Sequence, residues 1–462
     1  MRIKRIKRIK GMRGRSLFLL CATVFLASVC PKQSESVPAF TRQTKLPCTS
    51  CHYQFFPQLN AFGRAFKLGG FTQTEPGAEG GGQNADATNI NAAVMIDSGL
   101  LMGGNGGLNG DNNGNWQIGN EPALFAGGRI GPNTGALVKI SRVSDNFKFV
   151  YSDDGPGSRR GVVVYRTATG GPGYSMDYWN TGSDNAGWGW RGGNDLFITR
   201  AFGPNSGTPA EGIHLFYGTR EMFLNFGAFA PVGDNLNGVG GAGANVGANL
   251  AKYFRLAWSP TVIYGVDFML GAQTTFGTAT LNGGENYATQ GGGPNGINID
   301  ANSTLYDAQA QWDLAGRPAQ LTIAHALIPA ESFNNKQAVA VLTSPQNNQQ
   351  SATLYSIYKN GIYNTRANAI SGFDASFSLA ISKKFGFKTA YGSLTGNGTS
   401  CNVTDCAGYI SGVDVGGWWN ASQNIKLAIE EVFYFGNTNL FGPSTASMHE
   451  TSATTLEFEF LF

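Results

Sequence analysis

The chain has 462 residues, of which 65 are glycine, about twice the usual share. Charged residues make up only 14% of the chain, against about 25% in an average globular protein. With 42% apolar and 12% aromatic residues, this composition disfavours both a soluble helical enzyme and a disordered chain. It favours extensive β-structure in a protein whose surroundings are not only water.

The formal net charge of +3 depends on the N-terminal segment. Residues 1–36 contain nine basic side chains and one acidic side chain, so the rest of the chain has 24 basic and 29 acidic residues and a net charge of −5. The apparent basicity therefore gives no indication of nucleic-acid binding.

Residues 1–36 have the pattern of a signal peptide. A basic start precedes the apolar run LFLLCATVFLASV at 17–29, which at 13 residues is short for a membrane helix. Ser34 and Ser36 have the spacing that signal peptidase needs, which predicts a mature chain starting near Val37. No later apolar stretch approaches the length of a membrane helix, so we expect a periplasmic, external or outer-membrane protein.

The cysteines occur in three pairs: Cys21 and Cys30, Cys48 and Cys51, and Cys401 and Cys406. The first pair belongs to the leader, where acylation of Cys30 is the alternative to cleavage near Val37. The last pair closes a short loop in an exported protein, so we expect a disulfide between Cys401 and Cys406.

The middle pair belongs to the sequence CTSCH, which has the spacing of c-type haem attachment. In such a motif the thiols of Cys48 and Cys51 bind the haem vinyl groups, and His52 supplies the proximal iron ligand. The motif thus predicts one covalent haem c held by these three residues.

A zinc knuckle and a redox-active CxxC pair are the alternatives. Zinc needs further ligands nearby, whereas residues 53–94 contain no Cys or His. A thioredoxin-like pair needs a βαβ context, which the sequence does not offer.

The residues after the motif predict an amphipathic helix, because Phe55, Leu59, Phe62 and Phe66 recur at intervals of three or four. Pro57 predicts a break or a helix start in this segment, and Gly69 and Gly70 predict its end. We assign residues 37–74 to a small haem module. A unit of this size cannot bury enough apolar surface alone, so we expect it to pack on its haem and on the following domain.

The segment 37–71 resembles the start of the outer-membrane monohaem cytochrome-porin fusions of iron-oxidising bacteria. The matching pieces are Pro38-Ala39-Phe40, Arg42-Gln43-Thr44, the CTSCH motif, Phe56-Pro57-Gln58-Leu59, Phe62-Gly63-Arg64 and Phe66-Lys67. The resemblance implies a haem module followed by a porin-like barrel, in an oxidoreductase that acts on ferrous iron.

Residues 75–462 have the alternating pattern of membrane strands. In 371–382, Phe373 and Phe377 alternate with polar residues such as Asp374. Similar segments lie near 88–97, 121–130, 136–152, 160–168, 195–203, 212–230, 251–270, 303–328, 350–358, 385–391, 408–435 and 452–462. They predict a mainly β fold, an outer-membrane antiparallel barrel of about 16 strands, with Gly- and Asn-rich extracellular loops.

The C-terminal sequence TLEFEFLF predicts the closing strand. Leu456, Phe458, Phe460 and Phe462 share one face, and a terminal aromatic residue resembles the sorting signal of outer-membrane barrels. A soluble β-sandwich is the alternative, but it leaves strand after strand with an apolar face and no core partner.

The combination of motif and barrel predicts electron transfer across the outer membrane, since the hydrocarbon core is an insulator about 30 Å thick. By resemblance, Fe(II) is the donor, and a periplasmic blue-copper protein or soluble cytochrome c is the acceptor. The module carries Arg42, Lys45, Arg64 and Lys67 and no acidic residue, which suits docking in an acidic lumen. A conduit for another donor and a diffusion porin with a haem-containing plug remain as alternatives.

The sixth iron ligand is open, because no Met, second His or further Cys lies in the module. Strand parity predicts that Met95 and His214 point into the lumen and that His325 shares the outward face. Met95, His214, a local group, water or no protein ligand are the candidates.

Overall fold

The computed structural model describes residues 39–54, 59–74, 89–102, 115–117, 122–141, 146–167, 171–176, 210–231, 250–260, 262–281, 297–329, 370–396, 408–422, 424–437 and 452–461. The predicted signal peptide at 1–36 and the predicted disulfide between Cys401 and Cys406 lie outside these residues. The described residues all belong to the compact unit Val37–Phe462.

Sixteen strands form the wall of a barrel. In chain order they are β1 Asn89–Met102, β2 Ala123–Gly131, β3 Thr134–Ser141, β4 Asn146–Gly155, β5 Ser158–Thr167, β6 Ala210–Thr219, β7 Met222–Pro231, β8 Ala251–Trp258, β9 Val266–Phe276, β10 Ser303–Asp313, β11 Pro318–Ile328, β12 Ile370–Ala380, β13 Phe385–Gly396, β14 Gly408–Ser422, β15 Ile425–Asn437 and β16 Ser452–Leu461. Three shorter strands are Asn115–Gln117, which pairs with β1, and Thr278–Leu281 and Ile297–Asp300, which pair with each other.

Each strand pairs antiparallel with its neighbours in sequence, and the first strand closes the sheet. The N-terminal half of β1 pairs with β2, from Asn89 opposite Arg129 to Met95 opposite Ala123. Its C-terminal part pairs with β16, where Met95 lies opposite Leu461. The described wall is therefore a closed up-and-down barrel, as the alternating pattern predicted.

The two faces of the wall differ in polarity. On β8, side chains alternate strictly between buried and exposed, and the exposed set includes Phe254, Leu256 and Trp258. The lumen-facing set across the barrel is largely polar and includes Arg255, Gln309 and Asp374. A closed barrel with an apolar outer face satisfies its backbone and faces lipid, so the protein is a β-barrel of the outer membrane.

The connections at the two ends of the barrel differ in length. At the end where β1 begins and β16 ends, the seven connections have two to seven residues, whereas those at the other end have four to 42 residues. Short turns face the periplasm in barrels of this kind. We therefore assign the chain-terminal end to the periplasm, and the long connections to the outside.

Two helices precede the barrel: α1, Ala39–Thr44, and α2, Ala61–Leu68. The predicted helical stripe from Phe55 to Phe66 is wrong in part. Leu59 lies in a β-bridge with His52, and Phe62 is 37% exposed, because α2 begins only after Asn60, whose side chain caps it. Phe55 and Pro57 lie outside the described residues, and the predicted end at Gly69 is confirmed.

Among the described residues, no helix is long and apolar enough to cross a membrane. The predicted strand segments near 195–203 and 350–358 lie outside the described part of the chain, as does Phe462. The other predicted segments overlap barrel strands.

Candidate functional site

The CTSCH sequence forms one tight turn, which begins as the 3-10 helix Cys48–Ser50. The backbone N–H of His52 donates to the Cys48 carbonyl oxygen at 2.9 Å, and that of Cys51 donates to the same oxygen at 3.2 Å. This turn, residues 48–52, holds the backbone of Cys48, Cys51 and His52 within a single turn. That is the arrangement that thioether attachment and axial ligation require.

Neither thiol of the CTSCH turn is part of a disulfide, and both cysteines are half-buried. Burial raises the pKa of the Cys48 thiol, and burial together with the neighbouring Cys48 raises the pKa of the Cys51 thiol to about 11. Both thiols are protonated at neutral pH, unlike the activated thiolate of a thioredoxin-like pair. The described residues also contain no group of three or more His, Cys, Asp or Glu side chains placed to hold a metal ion. The two thiols and the adjacent histidine are the groups that a covalent haem would need at this turn.

Asn60 joins the CTSCH turn to α2. Its side-chain amide donates to the Ser50 carbonyl oxygen at 2.9 Å, and its backbone N–H donates to the Cys51 carbonyl oxygen at 3.0 Å. Its side-chain oxygen accepts from the Gly63 N–H at 2.9 Å. A β-carbon on Gly63 would lie 2.1 Å from the Cys51 oxygen, so the close contact of turn and helix requires glycine at this position.

The two residues after the turn bind the periplasmic end of the barrel wall. The Tyr53 hydroxyl donates to the carbonyl oxygens of Trp312 at 2.7 Å and of Ala319 at 3.0 Å. Burial raises the Tyr53 pKa to about 12, so the phenol stays a donor at any physiological pH. Gln54 donates to the Pro318 oxygen at 2.7 Å and accepts from the Ser378 hydroxyl at 2.8 Å.

Helix α2 contacts the lumen wall through one buried guanidinium. Arg64 is 2% exposed and donates to the Asp267 carboxylate at 2.7 Å and to the Gln309 side-chain oxygen at 3.4 Å. The neighbouring Gln311 amide donates to the Leu59 carbonyl oxygen at 3.2 Å. The expected contact between a basic module and acidic lumen residues is present in the Arg64–Asp267 ion pair.

Aromatic side chains form the centre of the N-terminal segment. The Phe40 ring stacks on Phe71 at 5.1 Å and meets the edge of Phe66 at 5.2 Å, both measured between ring centroids. Gln43 donates to the Phe71 carbonyl oxygen at 2.6 Å and accepts from the Arg129 N–H of β2 at 3.1 Å. These contacts confirm that the segment packs on the barrel that follows it.

Together, residues 39–54 and 59–74 form a plug at the periplasmic end of the lumen, and this name is used below. Further plug contacts reach β1 through Arg42 and the Ala92 carbonyl oxygen, and β4 through the Ser152 hydroxyl, which donates to the Leu68 carbonyl oxygen at 2.9 Å. On the periplasmic side, α2 and three short turns line a cavity of about 540 Å³.

The predicted sixth ligands have different positions. Met95 is 9% exposed on β1 while its neighbours Val94 and Ile96 are exposed, which confirms its lumen parity. His214 also faces the lumen, but its Nδ1 lies 2.7 Å from the Ser175 hydroxyl and its Nε2 lies 3.2 Å from the Tyr165 hydroxyl. Both ring nitrogens of His214 thus have hydroxyl partners, so ligation of an iron by Nε2 would require the contact with Tyr165 to break. Met95 stays a candidate.

One partner of His214, Ser175, lies in a segment that the sequence analysis did not identify. Residues 171–176 belong to the long connection between β5 and β6 and are buried, except for the half-buried Tyr174. Ser175 and Met176 are fully buried. The Asn225 amide donates to the Ser175 hydroxyl at 3.0 Å, and Lys148 lies over the Tyr174 ring. No local sequence signal marks this segment, because its polar residues find partners on distant strands.

His325 shares the outward face with Ile323 and Leu327, as its parity predicted, and its Nε2 lies 3.1 Å from the Ser371 hydroxyl. It is therefore no candidate for the lumen site.

No protein-family model matches the sequence, and no curated protein matches it significantly. Several solved structures are similar in fold. OmpT of Vibrio cholerae has 10% identity and a TM-score of 0.42, with 81% of this chain and 97% of that chain covered. The channel DcaP of Acinetobacter baumannii has 11% identity and a TM-score of 0.44, with the same coverage of each chain. An anion-selective porin from Comamonas acidovorans has 10% identity and a TM-score of 0.45, with 81% and 99% covered.

Proposed function

We propose that this protein is an outer-membrane electron-transfer cytochrome that oxidises extracellular Fe(II) and passes the electrons to a periplasmic carrier. The observation that carries the proposal is the position of the CTSCH turn. The turn belongs to a plug that binds the lumen wall at the periplasmic end. A redox centre held there lies on the path between the two sides of an insulating bilayer.

In this proposal Cys48 and Cys51 supply the two thioether sulfurs, and His52 supplies the proximal imidazole. A haem c bound by them provides a one-electron iron couple. Asn60 and Gly63 hold the turn against α2, and Gln54 holds it against the wall, so that the imidazole keeps its orientation. The plug around it limits access of water and solutes from the periplasm.

Fe(II) as donor rests on the resemblance of the plug sequence to the cytochrome-porin fusions. Oxidation at the outer side would keep insoluble ferric products outside the cell. A periplasmic blue-copper protein or soluble cytochrome c would collect the electrons at the plug, which reaches the periplasmic turns through Tyr53 and Gln54.

Anaerobic addition of Fe(II) to the oxidised, purified protein tests this function. We expect the absorption bands of a reduced c-type haem to appear, and the Cys48→Ala/Cys51→Ala variant to give no such change. A haem that only a chemical reductant or an organic donor reduces would support a conduit for another donor. A protein that conducts solutes and holds no reducible haem would support the diffusion porin.

A further inference from the structure

Four charged side chains face the lumen from four neighbouring strands of the barrel. Asp374 lies on β12, Lys388 on β13, Asp414 on β14 and Glu430 on β15. Asp374 is 4% exposed, and each of the other three is 1% exposed. We call these four residues the lumen acidic cluster.

The strand register explains why these side chains meet. Gly416 on β14 lies opposite Lys388 on one side and opposite Glu430 on the other. Because glycine has no side chain, the lysine and the glutamate can approach each other over it. Asp414 is two residues away on the same face of the same strand, and its carboxyl group interacts directly with that of Glu430.

Several carboxyl oxygens of the cluster have no N–H or hydroxyl donor among the described residues. Apart from the contact between the two carboxyl groups themselves, no donor among the described residues reaches the carboxyl oxygens of Asp414 and Glu430. Oδ2 of Asp374 also has no donor among them. Carboxylate oxygens buried without donors are costly, and structures normally satisfy them with hydrogen bonds, counter-ions or metal ions.

The cluster contains more acidic than basic side chains. Lys388 interacts electrostatically with all three carboxyl groups. When all three are ionised, their three negative charges face the single positive charge of Lys388 within the cluster. The neighbouring Lys426 already lies 2.8 Å from the Glu459 carboxylate and 3.9 Å from that of Glu457. A single divalent cation would balance the two negative charges that Lys388 leaves uncompensated in this ionised state.

We propose that Asp414 and Glu430 bind a hard divalent cation in the lumen, with Asp374 and Lys388 setting the local charge. Oxygen ligands of this type suit Mg²⁺, Mn²⁺ and similar ions. Two carboxyl groups supply only part of the coordination shell of such an ion, so water molecules would have to fill the remaining positions.

One residue of the cluster, Lys388, lies one strand away from a residue that the plug contacts. The Gln54 side chain, two residues after His52, bonds the Ser378 hydroxyl, and Ser378 lies directly opposite Lys388 in the sheet. Paired residues of neighbouring strands are about 5 Å apart. Ferrous iron belongs to the same class of cation, so this site deepens the proposed function, and it rests on that function only for the identity of the natural ion.

Titration of the full-length, chelator-treated protein with Mn²⁺, followed by the electron paramagnetic resonance of the free ion, tests the site. We expect one Mn²⁺ to bind per chain, and the Asp414→Asn/Glu430→Gln variant to bind at least tenfold more weakly. The matched control is Asp153→Asn/Asp154→Asn, which removes two solvent-accessible carboxylates from the periplasmic end of β4 and should leave binding unchanged. Heat-modifiable mobility on a gel checks that both variants form barrels.

Absence of stoichiometric Mn²⁺ binding, or equal binding by the Asp414→Asn/Glu430→Gln variant, would overturn the cation site. Reduction of the haem by Fe(II), measured on the same samples, separates this result from the proposed function. A protein that Fe(II) reduces but that binds no Mn²⁺ refutes the site alone. A protein that binds Mn²⁺ as expected but is not reduced by Fe(II) supports the site and refutes Fe(II) as the donor.

Discussion

The Arg64 guanidinium lies 2.7 Å from the Asp267 carboxylate, and this contact joins α2 of the plug to β9 of the barrel. The side chain of Arg64 is 3% exposed and that of Asp267 is 20% exposed, so the pair is largely shielded from water. Removal of one partner of such a pair leaves a buried charge without compensation. This contact is therefore one of those that hold the plug in position.

We expect Asp267→Asn to weaken the attachment of the plug by about 3 kcal/mol. Because a loosened plug opens a path for ions, single-channel recordings in planar bilayers should show larger or more frequent openings. Asp153→Asn is the control, since Asp153 pairs with Arg160 on the exposed surface, where the contact contributes less than about 1 kcal/mol. Equal conductance of the two variants would show that Arg64 does not hold the plug.

The CTSCH turn should carry the only covalent haem of the chain. We expect Cys48→Ala/Cys51→Ala to abolish haem staining on a denaturing gel while the barrel still assembles, because the strand pairing does not involve the turn. Cys401→Ser/Cys406→Ser is the matched control, since it removes the cysteine pair of the predicted disulfide and should keep the stain. Staining that persists in the first variant would refute haem attachment at Cys48 and Cys51.

The close contact between Gly63 and Cys51 predicts a steric effect on haem attachment. In Gly63→Ala the new β-carbon would meet the Cys51 carbonyl oxygen, and overpacking of this kind costs about 1–3 kcal/mol. We expect less haem per barrel, measured as the ratio of haem absorbance to protein. Gly131→Ala is the control, because a β-carbon there has nothing within 4 Å. Full haem loading of Gly63→Ala would show that the turn can move away from α2.

The two lumen candidates for the sixth ligand predict opposite results. His214→Gln should leave the haem spectrum unchanged, because both ring nitrogens of His214 already have hydroxyl partners. If Met95 is the ligand, Met95→Ala should shift the spectrum and lower the reduction potential, since methionine ligation raises it. A spectral change in His214→Gln alone would reverse this assignment.

The last strand should be essential for assembly. Deletion of Leu456–Phe462 removes most of β16, including the segment that pairs with Met95 to Leu100 of β1, so the barrel cannot close. We expect the truncated chain to be missing from the outer-membrane fraction on immunoblots. Its accumulation there at the normal level would contradict the role of β16 in closure.

The wall was predictable from sequence because its signal is local. In β12, the predicted alternation of Phe373 and Phe377 with Asp374 matches the observed faces, since neighbouring side chains of a strand point to opposite sides. The CTSCH motif was recognisable for the same reason, as its chemistry is contained in five consecutive residues.

The contacts of the plug were not predictable in this way. Arg64 and Asp267 are separated by 203 positions, and Gln54 and Ser378 by 324, so no local pattern joins them. The helical stripe failed because Leu59 pairs with His52 as a β-bridge, which a count of apolar spacing cannot reveal. Strand parity placed His214 in the lumen correctly. It could not reveal the two hydroxyl groups that lie within hydrogen-bond distance of its ring nitrogens.

Electron transfer across a membrane is the most direct test of the proposed function. Liposomes containing the protein are loaded with an oxidised soluble cytochrome c, and Fe(II) is added outside under anaerobic conditions. We predict that the enclosed cytochrome is reduced, and that liposomes with Cys48→Ala/Cys51→Ala remain oxidised. An enclosed cytochrome that stays oxidised with the unsubstituted protein, or that is reduced equally with the variant, would contradict electron transfer through the haem of the plug.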